Sequence, residues 1–308
     1  VNEGLDYNLV VYDLMFEMAW RETPVNLSAW ITEYIHHRYG QSQVDARQAW
    51  HILADTVYGA PNRTRSIIDH APTLTSGGGF PSYSNTRLAN AWRHLLQASQ
   101  ELAGTDTYDF DLVNVARQVL SNHAATLHLE LQEAYQAKDT QAFSKASARF
   151  LGLIRDLDEL LATHPDFLLG RWLEDAKRWG ANDAEQKICQ WNARRVLTLW
   201  GEGPAIDDYA RKEWSGMLSG YYLKRWEWYL REVNESLKNK QSFDDAEFSH
   251  KLRQWMVEWS DGQETYPTEP SGDSVAVARR LWKKYHEAYK PNATSLTTDK
   301  PVGLLPNN

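Results

Sequence analysis

The chain has 308 residues, of which 42% are hydrophobic and 24% charged, the balance of an ordinary globular protein with a substantial core. A formal net charge of −8, spread along the sequence, argues against nucleic acid as a partner, because phosphate binding needs a concentrated basic face. No apolar run approaches the ~20 residues that span a bilayer, so we predict no membrane span.

Apolar residues recur at steps of three and four through most of the chain, the spacing of one helix face. One such seam consists of Phe143, Ala146, Phe150, Leu153, Leu157 and Leu160. A longer seam runs from Phe110 to Ala134 with Arg117 as its one polar member. We predict helices at residues 8–21, 27–39, 43–58, 86–102, 108–137, 140–163, 166–179, 183–198, 207–237, 244–260 and 273–289. Because their lengths differ and show no fixed repeat, the sequence predicts an all-α, irregular multi-helix bundle.

Two stretches lack this periodicity. Residues 60–84 contain three consecutive glycines and are predicted to form a long loop, which in a compact domain is often functional. Residues 291–308 are rich in Pro, Thr, Asn and Gly and are predicted to be a disordered tail.

Several kinds of site can be set aside. The adjacent His36 and His37 lie on a predicted helix, where neighbouring side chains point in different directions, and no His-Glu-x-x-His pattern occurs. We therefore expect no metal and no organic cofactor. The single cysteine, Cys189, cannot form an internal disulfide, and its place in a helix is typical of core packing.

The fourteen tryptophans are the unusual feature of the composition. Flat indole faces pack against the C–H faces of sugar rings, so an aromatic excess hints at carbohydrate. The simpler interpretation is that most of these side chains fill helix–helix interfaces.

Two segments combine residues that can do chemistry with the right local setting. At the N-terminus, Glu3 precedes a glycine just before a predicted helix, the layout of a carboxylate at the C-terminal rim of a (β/α)₈ barrel. The second segment is a short aromatic loop between two predicted helices, running from Trp200 to Tyr209. Such a loop is suited to lining a ligand. Alternatively, Trp200 packs a helix end, and Asp207 and Asp208 are first-turn acids of the next helix.

Taken together, these segments resemble glycoside hydrolase family 89, the α-N-acetylglucosaminidases. The resemblance is carried by EGLDYNLVVYDLMFEMAWR at 3–21, and by LTLWG at 197–201 followed by IDDYA at 206–210. Further agreement at FLLGRWL (167–173) and YYLKRW (221–226) extends the resemblance from residue 3 to about residue 290.

The resemblance implies a domain organisation. Residues 1–21 are expected to be the last strand-loop-helix element of a catalytic (β/α)₈ barrel, residues 22–290 a C-terminal all-α domain, and 291–308 the tail. The rest of the barrel is expected upstream, as the partner of this region in the same protein. Without it, the chain is expected to be inactive.

The resemblance also implies an activity and its residues. Glu3 corresponds to the catalytic nucleophile, and Trp200, Ile206 and Tyr209 correspond to substrate-binding residues of the pocket wall. The expected reaction is retaining hydrolysis of terminal non-reducing α-linked N-acetylglucosamine from glycans such as heparan sulfate, in a secreted, periplasmic or lysosomal protein. The acid/base residue lies outside this chain. Two alternatives stay open: a non-catalytic Trp-rich helical module that binds a glycan or a protein partner, and a structural helical scaffold.

Overall fold

The computed structural model describes residues 7–61, 65–75, 79–201 and 206–290, and these ranges form an all-α fold, as predicted. The helices are α1 (Leu9–Met18), α2 (Leu27–Tyr39), α3 (Val44–Asp55), α4 (Asn85–Leu102), α5 (Asp106–Gln136), α6 (Thr140–Leu161), α7 (Leu169–Lys177), α8 (Asp183–Leu197), α9 (Leu223–Lys238), α10 (Asp245–Asp261) and α11 (Ser274–Tyr285). Short 3₁₀ turns occupy Pro165–Phe167 and His286–Tyr289. Within the described ranges, the one β-type pairing is an isolated bridge between Leu168 and Ser215.

Capping side chains begin several helices at the predicted positions. The Asn182 side chain accepts hydrogen bonds from the amides of Ala184 and Glu185, and Asp244 caps α10 in the same way. Each cap satisfies backbone donors that have no partner within the helix, which is why these residue types mark a helix start.

The 31-residue helix α5 lies at the centre of the bundle and is buried along most of its length. It packs against α4, α6, α11 and α2. The predicted apolar seam of α6 is buried from Phe143 to Leu160, against α5 on one side and α9 on the other. Periodicity alone therefore identified the faces that form the core.

The predicted helix at 207–237 begins too early. Its regular part is α9, preceded by a π-helical turn at Leu218–Tyr222, and residues 206–215 form no α-helix. The reason is that acidic side chains in 206–215 pair with arginines from other helices, which fixes the backbone in a non-helical path. Similarly, the predicted helix at 166–179 is interrupted at Leu168, which is extended. There the Ser215 amide donates to the Phe167 carbonyl at 2.8 Å, and the Leu169 amide donates to the Ser215 carbonyl at 3.0 Å.

The predicted loop at 60–84 is irregular in its described parts, and it is packed against α9. Ile67 and Ile68 are fully buried. The Trp226 indole donates to the Ile68 carbonyl at 3.1 Å, and the Leu74 amide donates to the Tyr229 hydroxyl at 3.0 Å. The described parts of this loop therefore pack as an integral part of the domain.

Glu3, the strand proposed to precede α1, and the tail at 291–308 lie outside the described residues. The domain boundaries at 21/22 and 290/291 stay predictions. Across the described parts of the chain, no helix is both long enough and apolar enough to cross a membrane.

Candidate functional site

The loop predicted to face a ligand exposes the three large side chains expected of it. Trp200, Ile206 and Tyr209 are 50%, 41% and 46% exposed, although Leu199 and Asp208 beside them are buried. The rings of Trp200 and Tyr209 lie 5.6 Å apart and are inclined at 69°, so two aromatic surfaces meet at an angle. We call the described residues of this loop, 200–201 and 206–209, the bend. Exposed apolar side chains on a fixed backbone can contact the C–H faces of a sugar.

The backbone at both ends of the bend is held in an unusual conformation. Trp200 and Asp208 have φ angles of 53° and 56°, in the left-handed region that costs an L-residue about 1–2 kcal/mol. The Asp208 amide donates to the Thr198 carbonyl at 2.6 Å and closes the base of the bend. Strain of this kind persists only where surrounding contacts overdetermine the backbone.

Two ion pairs supply those contacts. The Asp208 carboxylate accepts from Arg225 of α9 at 2.6 Å, and both side chains are almost wholly buried. Asp207 pairs with Arg253 of α10. The interpretation of Asp207 and Asp208 as first-turn acids of a helix is therefore wrong. Burial is the largest single influence on Arg225 and opposes its charge, but Asp208, Tyr221 and Tyr222 together outweigh burial, and the net pKa of Arg225 lies above its ordinary value.

Arg225 also ties the bend to the packed loop. Its Nη2 donates to the His70 carbonyl at 3.1 Å, and its guanidinium lies 4.5 Å from the centre of the Tyr221 ring. The bend is thus fixed to three rigid elements: α9, α10 and the loop at 65–75.

The N-terminal segment meets the continuation of the bend at Tyr7. Two cations lie close to the Tyr7 ring, the Arg117 guanidinium 4.7 Å and the Lys212 ammonium 5.1 Å from its centre, and the ring stacks on Phe167 at 5.9 Å. The Tyr7 hydroxyl donates to the Glu213 carbonyl at 3.4 Å. Glu213 is four residues beyond Tyr209, so the N-terminal segment contacts the chain just beyond the aromatic loop.

A polar cavity of about 200 Å³ lies at this junction. Its charged lining consists of Arg65, Asp69, Arg117, Arg211 and Glu213. Arg65 pairs with Asp69 at 2.5 Å, and Arg117 pairs with Glu213 at 2.6 Å. Burial raises the pKa of Asp69 to about 7, although Arg65 opposes that rise. The cavity is smaller and more polar than most ligand pockets, and suits ordered water.

The described residues contain no group of three or more His, Cys, Asp or Glu side chains arranged to hold a metal ion. The structure brings Trp200 and Tyr209 into ring contact and leaves Ile206 exposed on the same bend, whereas Glu3 lies outside the described residues. Sequence reasoning missed the arginines that hold the site. Arg117 had a signal in the sequence, since it is the one polar residue of the α5 seam. Arg225 stands in the matched stretch YYLKRW (221–226), but that match gave it no role in the site.

Comparison with known protein families shows to which family the chain belongs. Residues 30–284 match the family described as alpha-N-acetylglucosaminidase C-terminal domain. The chain belongs to this family. A human alpha-N-acetylglucosaminidase is 33% identical over 291 residues, which cover 92% of this chain and 39% of the relative. The chain therefore spans well under half the length of that protein.

Solved structures agree with this assignment to the alpha-N-acetylglucosaminidases. A family 89 glycoside hydrolase from Clostridium perfringens, in complex with 2-acetamido-1,2-dideoxynojirmycin, superposes with a TM-score of 0.82 at 27% identity over 94% of this chain and 34% of its own. A second structure of that bacterial enzyme, in complex with its substrate GlcNAc-alpha-1,4-galactose, has a TM-score of 0.82 at 26% identity over 92% of this chain and 34% of its own.

Proposed function

We propose that this chain is the C-terminal part of a retaining exo-α-N-acetylglucosaminidase, with Glu3 as nucleophile and Trp200, Ile206 and Tyr209 as one wall of the sugar pocket. The observation that carries the proposal is the contact between Tyr7 and the segment that continues the bend. Glu3 is four residues before Tyr7, and four residues span at most about 14 Å. Under this proposal, the Glu3 carboxylate is tethered to the junction where Tyr7 contacts the segment that continues the bend.

The proposed chemistry needs two carboxyl groups roughly 5–5.5 Å apart. The Glu3 carboxylate attacks the anomeric carbon, and the bond to the leaving oxygen breaks as an acid from the upstream region protonates that oxygen. Water, deprotonated by the same upstream residue, then releases the sugar from Glu3. Two inversions at the anomeric carbon give net retention.

The contribution of the helical domain is to shape the pocket. The angled rings of Trp200 and Tyr209 offer apolar surface to a hexosamine, and the ion pairs of Asp207 and Asp208 keep that surface fixed. A pocket wall that is already ordered before binding loses less conformational entropy when the substrate binds, so more of the interaction energy appears as affinity.

We take the substrate class to be glycans that end in α-linked N-acetylglucosamine, which the substrate bound by the bacterial relative supports. A heparan sulfate chain is one such glycan. A secreted, periplasmic or lysosomal location accords with glycan substrates, and residues 1–21 would complete the barrel of the upstream region.

The proposal is tested in the longer protein that carries the upstream barrel. Glu3→Gln keeps the shape of the side chain but removes the nucleophile, so turnover of an aryl α-N-acetylglucosaminide should fall by about three orders of magnitude or more. Glu22→Gln, at an exposed glutamate just beyond α1, is the control and should be unaffected. Substantial turnover by Glu3→Gln would overturn the nucleophile assignment.

The alternative function, a non-catalytic glycan-binding module, rests on two tryptophans. Trp20 and Trp179 are 91% and 87% exposed, and an exposed indole face can pack against the C–H face of a sugar ring. That alternative predicts measurable binding of N-acetylglucosamine by the isolated chain. The enzyme proposal predicts negligible binding, because most of the pocket belongs to the upstream region. Calorimetric titration of the isolated chain distinguishes the two.

A further inference from the structure

We propose that Arg117 and Glu213 are positioning residues, which act through Tyr7 to hold the segment bearing Glu3 in register with the sugar-binding bend. This inference rests on the proposed function. It assigns a catalytic consequence to a buried ion pair that lies outside the pocket wall.

Arg117, Glu213 and the neighbouring Asn114 contact Tyr7 at several points. The Arg117 guanidinium lies over the Tyr7 ring, and the Glu213 carbonyl accepts from the Tyr7 hydroxyl. The Asn114 side chain, one turn before Arg117 on α5, donates to the Tyr7 carbonyl at 3.1 Å. The same Asn114 accepts from both the Nε and the Nη2 of Arg117, at 3.1 and 2.9 Å. Ring, hydroxyl and backbone of Tyr7 are therefore all held by one network.

The network also reaches the bend. Glu213 accepts from Arg117 at 2.6 Å and from the Ser121 hydroxyl, so both partners of this carboxylate are on the rigid helix α5. Five residues before Glu213, Asp208 is locked to Arg225. The stretch 208–213 is thus fixed at both ends, and it sets the spacing between the pocket wall and Tyr7.

Burying the Arg117–Glu213 ion pair has an unfavourable desolvation free energy. Arg117 is the polar member of an otherwise apolar seam, and both its side chain and that of Glu213 are at least 90% buried. Removing two charges from water costs several kcal/mol per ion, and apolar replacements of similar volume are often at least as stable. An ion pair at this place is better explained by what it orients than by the stability it adds.

A second buried pair offers a matched control. Arg38 pairs with Asp111 of α5 at 2.6 Å, with side chains 10% and 7% exposed, almost the same burial as the Arg117–Glu213 pair. Arg38 likewise lies near aromatic rings, 5.8 Å from those of Tyr34 and Phe110. Among the described contacts, Arg38 touches neither Tyr7 nor the bend directly, and its link to Tyr7 runs only through the stacked rings of Phe110 and Phe167. A merely structural role predicts that both arginines behave alike.

The test compares Arg117→Met, Arg117→Lys and Arg38→Met in the longer protein, by kcat and KM on an aryl α-N-acetylglucosaminide, with melting temperatures alongside. Misplacing a reacting group by about 1 Å costs about 100-fold in rate. We expect Arg117→Met to lower kcat by about that factor with KM changed less than about threefold, and Arg117→Lys to recover part of the loss. Arg38→Met should keep kcat within about twofold at a similar loss of melting temperature.

One further variant and one further measurement separate a folding defect from a positioning defect. Tyr7→Leu removes the ring without touching the buried pair, and should lower kcat in the same way even if Arg117→Met does not fold. In the isolated chain, chymotrypsin cleavage after Tyr7 should be faster in Arg117→Met than in Arg38→Met. Equal kcat losses in the two arginine variants, or unchanged kcat in Tyr7→Leu, would overturn the positioning role. Glu3→Gln run in parallel shows separately whether the nucleophile assignment holds.

Discussion

The ion pair beneath the bend provides the sharpest stability prediction. Arg225→Met removes a guanidinium that is fully buried against Asp208, and leaves that carboxylate without its partner in the interior. Removing one member of a buried pair costs about 3–5 kcal/mol, and a chain of this size loses about 2 °C of melting temperature per kcal/mol, so the melting temperature should fall by roughly 6–10 °C. The replacement also forfeits the hydrogen bond to the His70 carbonyl.

Thermal unfolding followed by circular dichroism measures this change. The surface pair of Arg178 and Asp175 has a similar distance, 2.7 Å, but side chains 79% and 61% exposed, so Arg178→Met should shift the melting temperature by about 1 °C or less. Adding Asp208→Asn to Arg225→Met removes the stranded charge and should recover part of the loss. If Arg225→Met melts within about 1 °C of the wild type, the bend is not held by this pair and the reasoning fails.

Three other predictions follow from the described contacts. Burial and the nearby Arg149 lower the pKa of His123 to about 4, so the folded state resists protonation of this side chain. The free energy of unfolding should therefore fall as the pH drops from about 6.5 to about 4. In urea titrations, the unfolding free energy of His123→Phe should fall by about 3 kcal/mol less than that of the wild type over this range. Gly170→Ala should destabilise by about 2 kcal/mol or more, because its Cβ would strike the Pro267 carbonyl, whereas Gly152→Ala meets open space and should unfold at or above the wild-type temperature. In the longer protein, Trp200→Ala and Tyr209→Ala should each raise KM by about tenfold, equivalent to ~1.4 kcal/mol of binding, and the surface control Trp179→Ala, at a side chain 87% exposed, should leave KM unchanged.

The sequence predicted the helices well because each helix is specified by neighbours three or four residues apart. The seam from Phe143 to Leu160 and the start of the predicted helix at 183–198, which Asn182 caps, depend on local signals, and both are confirmed. The helix prediction at 206–215 was wrong for the opposite reason, because the backbone there is set by contacts with residues distant in the sequence. Asp208 looks like a helix-starting acid until its partner, seventeen residues away on α9, is known.

Some residues of the candidate site could likewise be predicted from local sequence, and others depend on contacts that only the fold shows. Trp200, Ile206 and Tyr209 could be singled out because they stand in a short aromatic loop whose pattern resembles a known family. The residues that hold the loop in place could not, since Arg225 and Arg253 have no sequence pattern that links them to it. Arg117 is intermediate: its polarity within an apolar seam marks it as unusual, but only the fold reveals Glu213 and Tyr7 as its partners.

The nucleophile assignment to Glu3 is tested most directly by trapping the glycosyl-enzyme. In the longer protein, a slowly turned-over α-N-acetylglucosaminide with a good leaving group should leave one N-acetylhexosamine attached, and mass spectrometry of the digested protein should locate that mass on the peptide containing Glu3. An adduct on any other carboxylate, or the absence of an adduct while product accumulates in a burst, would contradict the account.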